Sequence, residues 1–282
     1  MKRYSVLLAI TLLSLLVEAQ ELKSFKVTIS GKGDPIILIP GYSCSAEVWK
    51  ETVNVLSDQY ECHVINIAGY AGIAPIDTPV LRTVRDELIK YTRNKKLHQP
   101  VLIGHSLGAF MSLWVSSVEP NLFGKVICVD GLPFISAMYD STATEEQYRK
   151  NPQFDPATVI KAFASIPREG YIEAMSKSME YQVRDTARAR QIATWSFLGD
   201  SKTLATTLIE MSTTDLRKSI ASIEKPVLII GSVYGTEENS FSILEQQYRR
   251  LKNKSIKVAD SKHFIMYDQF DWMIRQIKNF LK

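Results

Sequence analysis

Residues 101–110 read VLIGHSLGAF, and the serine at their centre has the type and setting that best suit chemistry. Ser106 stands between Gly104 and Gly108, with an apolar run before it and a small, apolar run behind. A strand that enters G-x-S-x-G and leaves as a helix holds the serine on a sharp, strained turn with its hydroxyl exposed. Side chains at the glycine positions would collide with the neighbouring strand and helix. The helix opening near Leu107 aims its first amides at the point where negative charge develops as the serine attacks a carbonyl. Such a serine needs a base, and the chain holds four histidines: His63, His98, His105 and His263. They form no HExxH pattern, and Cys44, Cys62 and Cys128 form no CxxC pair, so no metal or redox site is expected. The chemistry in view is nucleophilic catalysis by serine with a neutral imidazole as base.

The elements that must carry these residues alternate along the chain. Strand-like runs are FKVTI (25–29), PIILIP (35–40), HVINI (63–67), PVLIGH (100–105), KVICVD (125–130), PVLIIG (226–231) and SIKVAD (255–260). Leu81, Val84, Leu88 and Tyr91 recur at helical spacing, as do Phe241, Leu244, Tyr248 and Leu251. Continuous apolar strands separated by helices predict an α/β fold around a mostly parallel sheet, flanked by helices and buried on both faces. The alternation stops over residues 133–222. That polar-rich stretch has helix starts expected at Asp140-Ser141-Thr142 and Asp155-Pro156, and reads as a helical insertion after the strand ending at Asp130.

The chain has 282 residues, 45% hydrophobic and 23% charged, with a net charge of +4. No Lys/Arg cluster with interleaved aromatics appears, so nucleic acid is not an expected partner. Residues 1–20, MKRYSVLLAITLLSLLVEAQ, place Lys2 and Arg3 before an apolar run and small residues at Val17 and Ala19. That pattern predicts a signal peptide over 1–19 and an exported, periplasmic or secreted protein. The apolar run is short for a membrane span, so no stable insertion is expected after cleavage. Three cysteines leave at least one unpaired within the chain.

Taken in order, these motifs resemble the α/β-hydrolase superfamily, in particular its single-domain members with a helical cap; the resemblance covers residues 24–282. It implies a core over 20–132 and 223–282 with the cap at 133–222. Pro40-Gly41-Tyr42 follows PIILI where the family usually has His-Gly and an oxyanion residue, implying that the backbone amides of Tyr42 and Leu107 hold the oxyanion. His263, between the last strand and the last helix, occupies the place of the family's catalytic base. His105 is expected to point away from the site, as a structural residue. The acid departs from the pattern. Tyr234 stands where an aspartate is usual, and a phenol at neutral pH is no anion. Asp130 is the favoured replacement, because some related families place their acid after that strand. Glu237 or Glu238 reaching back from the later loop is the alternative, and a site without a working acid is the third.

The resemblance therefore implies a serine hydrolase that cleaves a small-molecule ester or related acyl bond through an acyl-Ser106 intermediate, without a cofactor. An acyltransferase, a carbon–carbon bond hydrolase or a non-catalytic ligand-binding protein of the same fold are the alternatives. Phe134, Met138, Tyr139 and Trp195 are the cap residues considered for lining a pocket.

Overall fold

The computed structural model describes residues 22–77 and 79–282. The leader expected over 1–19 lies outside the described residues. Seven strands form one sheet: β1 (Phe25–Ser30), β2 (Asp34–Ile39), β3 (Tyr60–Ile67), β4 (Val101–His105), β5 (Val126–Val129), β6 (Val227–Gly231) and β7 (Lys254–Val258). Their spatial order is β1-β3-β2-β4-β5-β6-β7, parallel throughout except for β1, which runs antiparallel to β3.

Burial follows the sheet position. Every residue of β5 and β6 is buried, whereas the edge strand β7 alternates and exposes Ser255 and Lys257. A lysine there blunts an edge that would otherwise offer free backbone groups to another chain. Strand alternation divides the core in two. Ile37 and Ile39 face one apolar cluster with α2 (Val80–Asn94) and α3 (Leu107–Val118), while Ile36 and Leu38 face the other. The second cluster also holds Trp49, beside α1 (Lys50–Leu56), and Met273 and Ile277. Leu81, Val84, Leu88 and Tyr91 are all buried on α2, as their spacing requires.

Between β5 and β6 the chain forms α4 (Glu145–Lys150), α5 (Pro156–Ala164), α6 (Tyr171–Met179), α7 (Thr186–Leu198) and α8 (Ser201–Ser212). Asp155 caps α5 with Pro156 as its first residue, as expected. Asp140 does not start a helix. Its carboxylate accepts from the Thr142 amide and hydroxyl in a tight turn, and α4 starts after Thr144, which forms a capping box with Gln147. α8 is fastened to the core: the Tyr42 hydroxyl donates to the Leu204 carbonyl (2.8 Å) and the Tyr70 hydroxyl to Thr207 Oγ1 (2.8 Å). Glu210 on α8 also accepts from the Val80 and Arg82 amides, closing the N-terminus of α2 with a negative charge. Leu216, Ile220 and Ile223 then join the first core cluster ahead of β6.

After β6 come α9 (Glu237–Gln247), β7, and the closing α10 (Ile265–Asp268) and α11 (Phe270–Leu281). The spacing of Phe241, Leu244, Tyr248 and Leu251 overstates α9. The helix ends at Gln247 and Phe241 is 46% exposed, the buried side being Ser240, Leu244 and Gln247. Cys44, Cys62 and Cys128 are buried, free thiols; burial pushes their pKa values up to about 12, 11 and 12. Among the described residues no helix is long and apolar enough to cross a membrane.

Candidate active site

Ser106 sits between β4 and α3 at φ 53°, ψ −115°, a conformation that side chains rarely adopt. The two glycines have the steric role their spacing suggests. A Cβ on Gly104 would lie 2.1 Å from the Gly108 carbonyl oxygen, and one on Gly108 would lie 2.1 Å from the Ile39 carbonyl oxygen. The strained turn is held from below, where the Ser106 amide donates to the Val129 carbonyl of β5 (2.9 Å). Leu107 opens α3, and Tyr42 follows β2 on the wall of the same cavity as Ser106. Among the described residues neither the Tyr42 nor the Leu107 amide has an acceptor, so both are free donors. The Tyr42 phenol, tied to α8, is held away from that role.

Asp130 ends β5 at φ 46°, buried, and its carboxylate accepts four hydrogen bonds. Oδ1 accepts from the Ser232 amide (2.6 Å). Oδ2 accepts from Ser232 Oγ (2.8 Å), the Tyr234 hydroxyl (2.8 Å) and His263 Nδ1 (2.6 Å). With Nδ1 committed as donor, Nε2 is the nitrogen available to the cavity that His263 and Ser106 both line. Tyr234 therefore donates to the Asp130 carboxylate rather than standing in for it. Burial raises its pKa far above the ordinary phenol value, and the Asp130 charge adds to this, so the hydroxyl remains a donor. Glu237 and Glu238 are exposed in the first turn of α9, which Thr236 caps, and neither is joined to His263.

His105 does not point away. Its ring is fully buried, 4.6 Å from the His263 ring between centroids, and its Nε2 donates to the His263 carbonyl (3.1 Å). Strand alternation sends the side chain before the nucleophile toward the loop after β7, which packs over that face. Among the described residues its Nδ1 has no partner, and a Cβ on Gly41 would come within 2.7 Å of it. Burial first, and the nearby His263 second, lower the His105 pKa well below the usual value, so the ring is neutral. The His263 loop is also held by the Lys262 amide donating to Asp268 (3.0 Å) and the Phe264 amide donating to the Gln182 carbonyl of the cap (3.0 Å).

The cavity measures about 680 Å³. Met138 and Tyr139 line it, whereas Phe134 and Trp195 do not. Phe134 packs with Ala137, Ala143 and Tyr148, and Trp195 lies in the second core cluster. The sequence pattern does not reveal Ser232 and Tyr234 as partners of Asp130. The one available signal was the odd position of Tyr234, on the loop that usually supplies the carboxylate.

Residues 34–270 match the family model for the alpha/beta hydrolase fold, and the chain belongs to that family. Known relatives include the pimeloyl-[acyl-carrier protein] methyl ester esterase of Aliivibrio fischeri (strain MJ11), 22% identical over 89% of this chain and 95% of that protein. The enzyme of the same name from Sodalis glossinidius is 23% identical over 71% of this chain and 75% of its own length. Among solved structures, the enol-lactonase from Burkholderia xenovorans LB400 superposes with a TM-score of 0.74 at 14% identity, covering 91% of this chain and 96% of that one. A thermophilic esterase from Thermogutta terrifontis gives 0.71 at 17% identity, over 91% and 92%. These likenesses establish the fold.

Proposed function

We propose that this protein hydrolyses a small-molecule carboxylic ester through an acyl-Ser106 intermediate, with His263 as base and Asp130 as its acid. The observation that carries this reading is the 2.6 Å contact of His263 Nδ1 with Asp130 Oδ2, made beside a serine at positive φ in a shared cavity. Ser106 Oγ attacks the ester carbonyl while its proton passes to His263 Nε2. The oxyanion meets the Tyr42 and Leu107 amides, and Asp130 stabilises the imidazolium. Collapse breaks the ester C–O bond, and the alcohol leaves with the proton from Nε2. Water then repeats the sequence on the acyl-serine, returning the free serine and an acid. No step calls for a cofactor. The methyl ester esterases among the relatives support an ester as substrate. The ligand-binding alternative drew on Tyr234 in the acid's usual place, and the hydrogen bond from Tyr234 to Asp130 favours catalysis instead.

The test is the intact mass of the mature protein after exposure to a fluorophosphonate, beside Ser106→Ala. One adduct on the native chain and none on the variant is expected; a folded native sample without an adduct would sink the proposal. We propose in addition that residues 1–19 are removed on export. Cell fractionation and mass analysis should find a chain beginning at Gln20 outside the cytoplasm, and a full-length cytoplasmic chain would reject it.

A further inference from the structure

The cap side of the cavity has a distinct chemistry. Four of the chain's eight methionines, Met138, Met175, Met179 and Met211, line it from three separate segments. Met175 and Met179 lie one turn apart on α6 and so share its face. A thioether on an unbranched stem moulds itself to a flexible apolar chain, where branched or aromatic walls would select one rigid shape.

Charge is equally selective. No Asp or Glu lines the cavity among the described residues, and its ammonium group, Lys262, is already engaged. Lys262 Nζ donates to the carbonyl of Glu180, just beyond the end of α6, and to that of Val183 (3.5 Å). Lys262 keeps its charge but is fixed by those two carbonyls at the end of α6, so an acid lying elsewhere along the thioethers is unpaired, and an unpaired buried charge is strongly unfavourable. The open end is marked by Tyr139 and Tyr181, which are 86% and 87% exposed yet reach the cavity wall.

We propose that the substrate's acyl group is an uncharged, flexible hydrocarbon chain of medium length, lying along these four thioethers with its ester at Ser106. This rests on the ester-hydrolase reading above. The cavity is of drug-ligand size, which suits a chain of about six to ten carbons with its ester.

The experiment measures kcat/KM of the mature full chain on p-nitrophenyl esters from acetyl to tetradecanoyl, together with the p-nitrophenyl monoester of octanedioic acid. Each methylene should raise kcat/KM by about fourfold until the cavity fills, after which the value falls. The carboxylate-ended ester should run roughly 100-fold below the octanoyl ester. Met175→Trp and Met211→Trp, each checked for folding by fluorophosphonate capture at Ser106, should lower the octanoyl-to-acetyl ratio by about tenfold. A flat or falling length profile, or equal turnover of the carboxylate-ended ester, would overturn the acyl assignment while Ser106 labelling left the hydrolase reading standing. Loss of labelling together with no turnover of any ester would overturn both.

Discussion

The floor and the roof of the cavity are built on opposite principles. The floor consists of strand ends: Ser106 after β4, Asp130 after β5, His263 after β7, with Ser232 and Tyr234 after β6. Its carboxylate is buried and accepts four hydrogen bonds, and its two strained residues are pinned by backbone pairing to the next strand. The roof is helical, and its first three helices are thinly packed. α4 buries no residue, α5 buries Val159 alone and α6 Ser176 alone, and α6 gives the cavity wall two thioethers, Met175 and Met179, with Ser178 between them. Under the proposed mechanism the rigid floor fixes where charge moves, and the adaptable roof decides what is held there. α7 and α8 belong to both, α7 through Ala189, Ile192 and Trp195 in the second core cluster and α8 through its bonds to Tyr42 and Tyr70.

The comparison breaks if floor residues prove replaceable. The largest effect is expected from Ser106→Ala and Asp130→Asn, each lowering ester turnover by roughly 10⁴ or more in steady-state assays. Glu237→Gln and Glu238→Gln should stay within about twofold, and a large loss there would move the acid into the later loop. Tyr234→Phe removes one hydrogen bond to Asp130 and should lower kcat by about tenfold with KM little changed. A KM effect alone would instead give Tyr234, which lines the cavity, a role in holding substrate.

His105 sharpens the contrast through pH. Its folded pKa is depressed, so the unfolded chain takes up a proton that the folded chain refuses, and stability falls as pH drops below the unfolded value of about 6.5. Above that pH the group imposes no penalty. The unfolding free energy from urea titration should therefore decline from pH 7 to 5.5 by about 1 kcal/mol more in the native protein than in His105→Gln. Parallel curves would show that the ring titrates normally. The smallest effect belongs to the roof: Tyr181→Ala, at an 87% exposed position, should leave unfolding free energy within about 0.5 kcal/mol.

How much of this was legible in the sequence depended on whether a residue's environment is local. The strands are legible because runs such as VICV and VLIIG are buried on both faces and need no polar alternation. Ser106 is legible because its constraint, two glycines and a strand-to-helix turn, lies within five positions. Phe241 misleads because helical spacing reports a face and not what covers it; solvent lies over that turn of α9. The acid remains one of several choices in the sequence because its partners come from positions 232, 234 and 263, and no local pattern links them to Asp130. His105 misleads for the same reason, since its direction depends on the loop after β7.

The chain order of the three groups has a consequence for how activity emerges during folding. Ser106 and Asp130 end neighbouring parallel strands joined by a single helix, so one compact unit carries both the proposed nucleophile and the proposed acid. His263 reaches Asp130 across 133 positions of chain, with the whole cap in between. Closing so long a loop is entropically demanding and late, whereas the β4–α3–β5 unit is local. Refolding from denaturant should thus restore most helical signal before any catalytic competence, and the first turnover marks the arrival of the last strand.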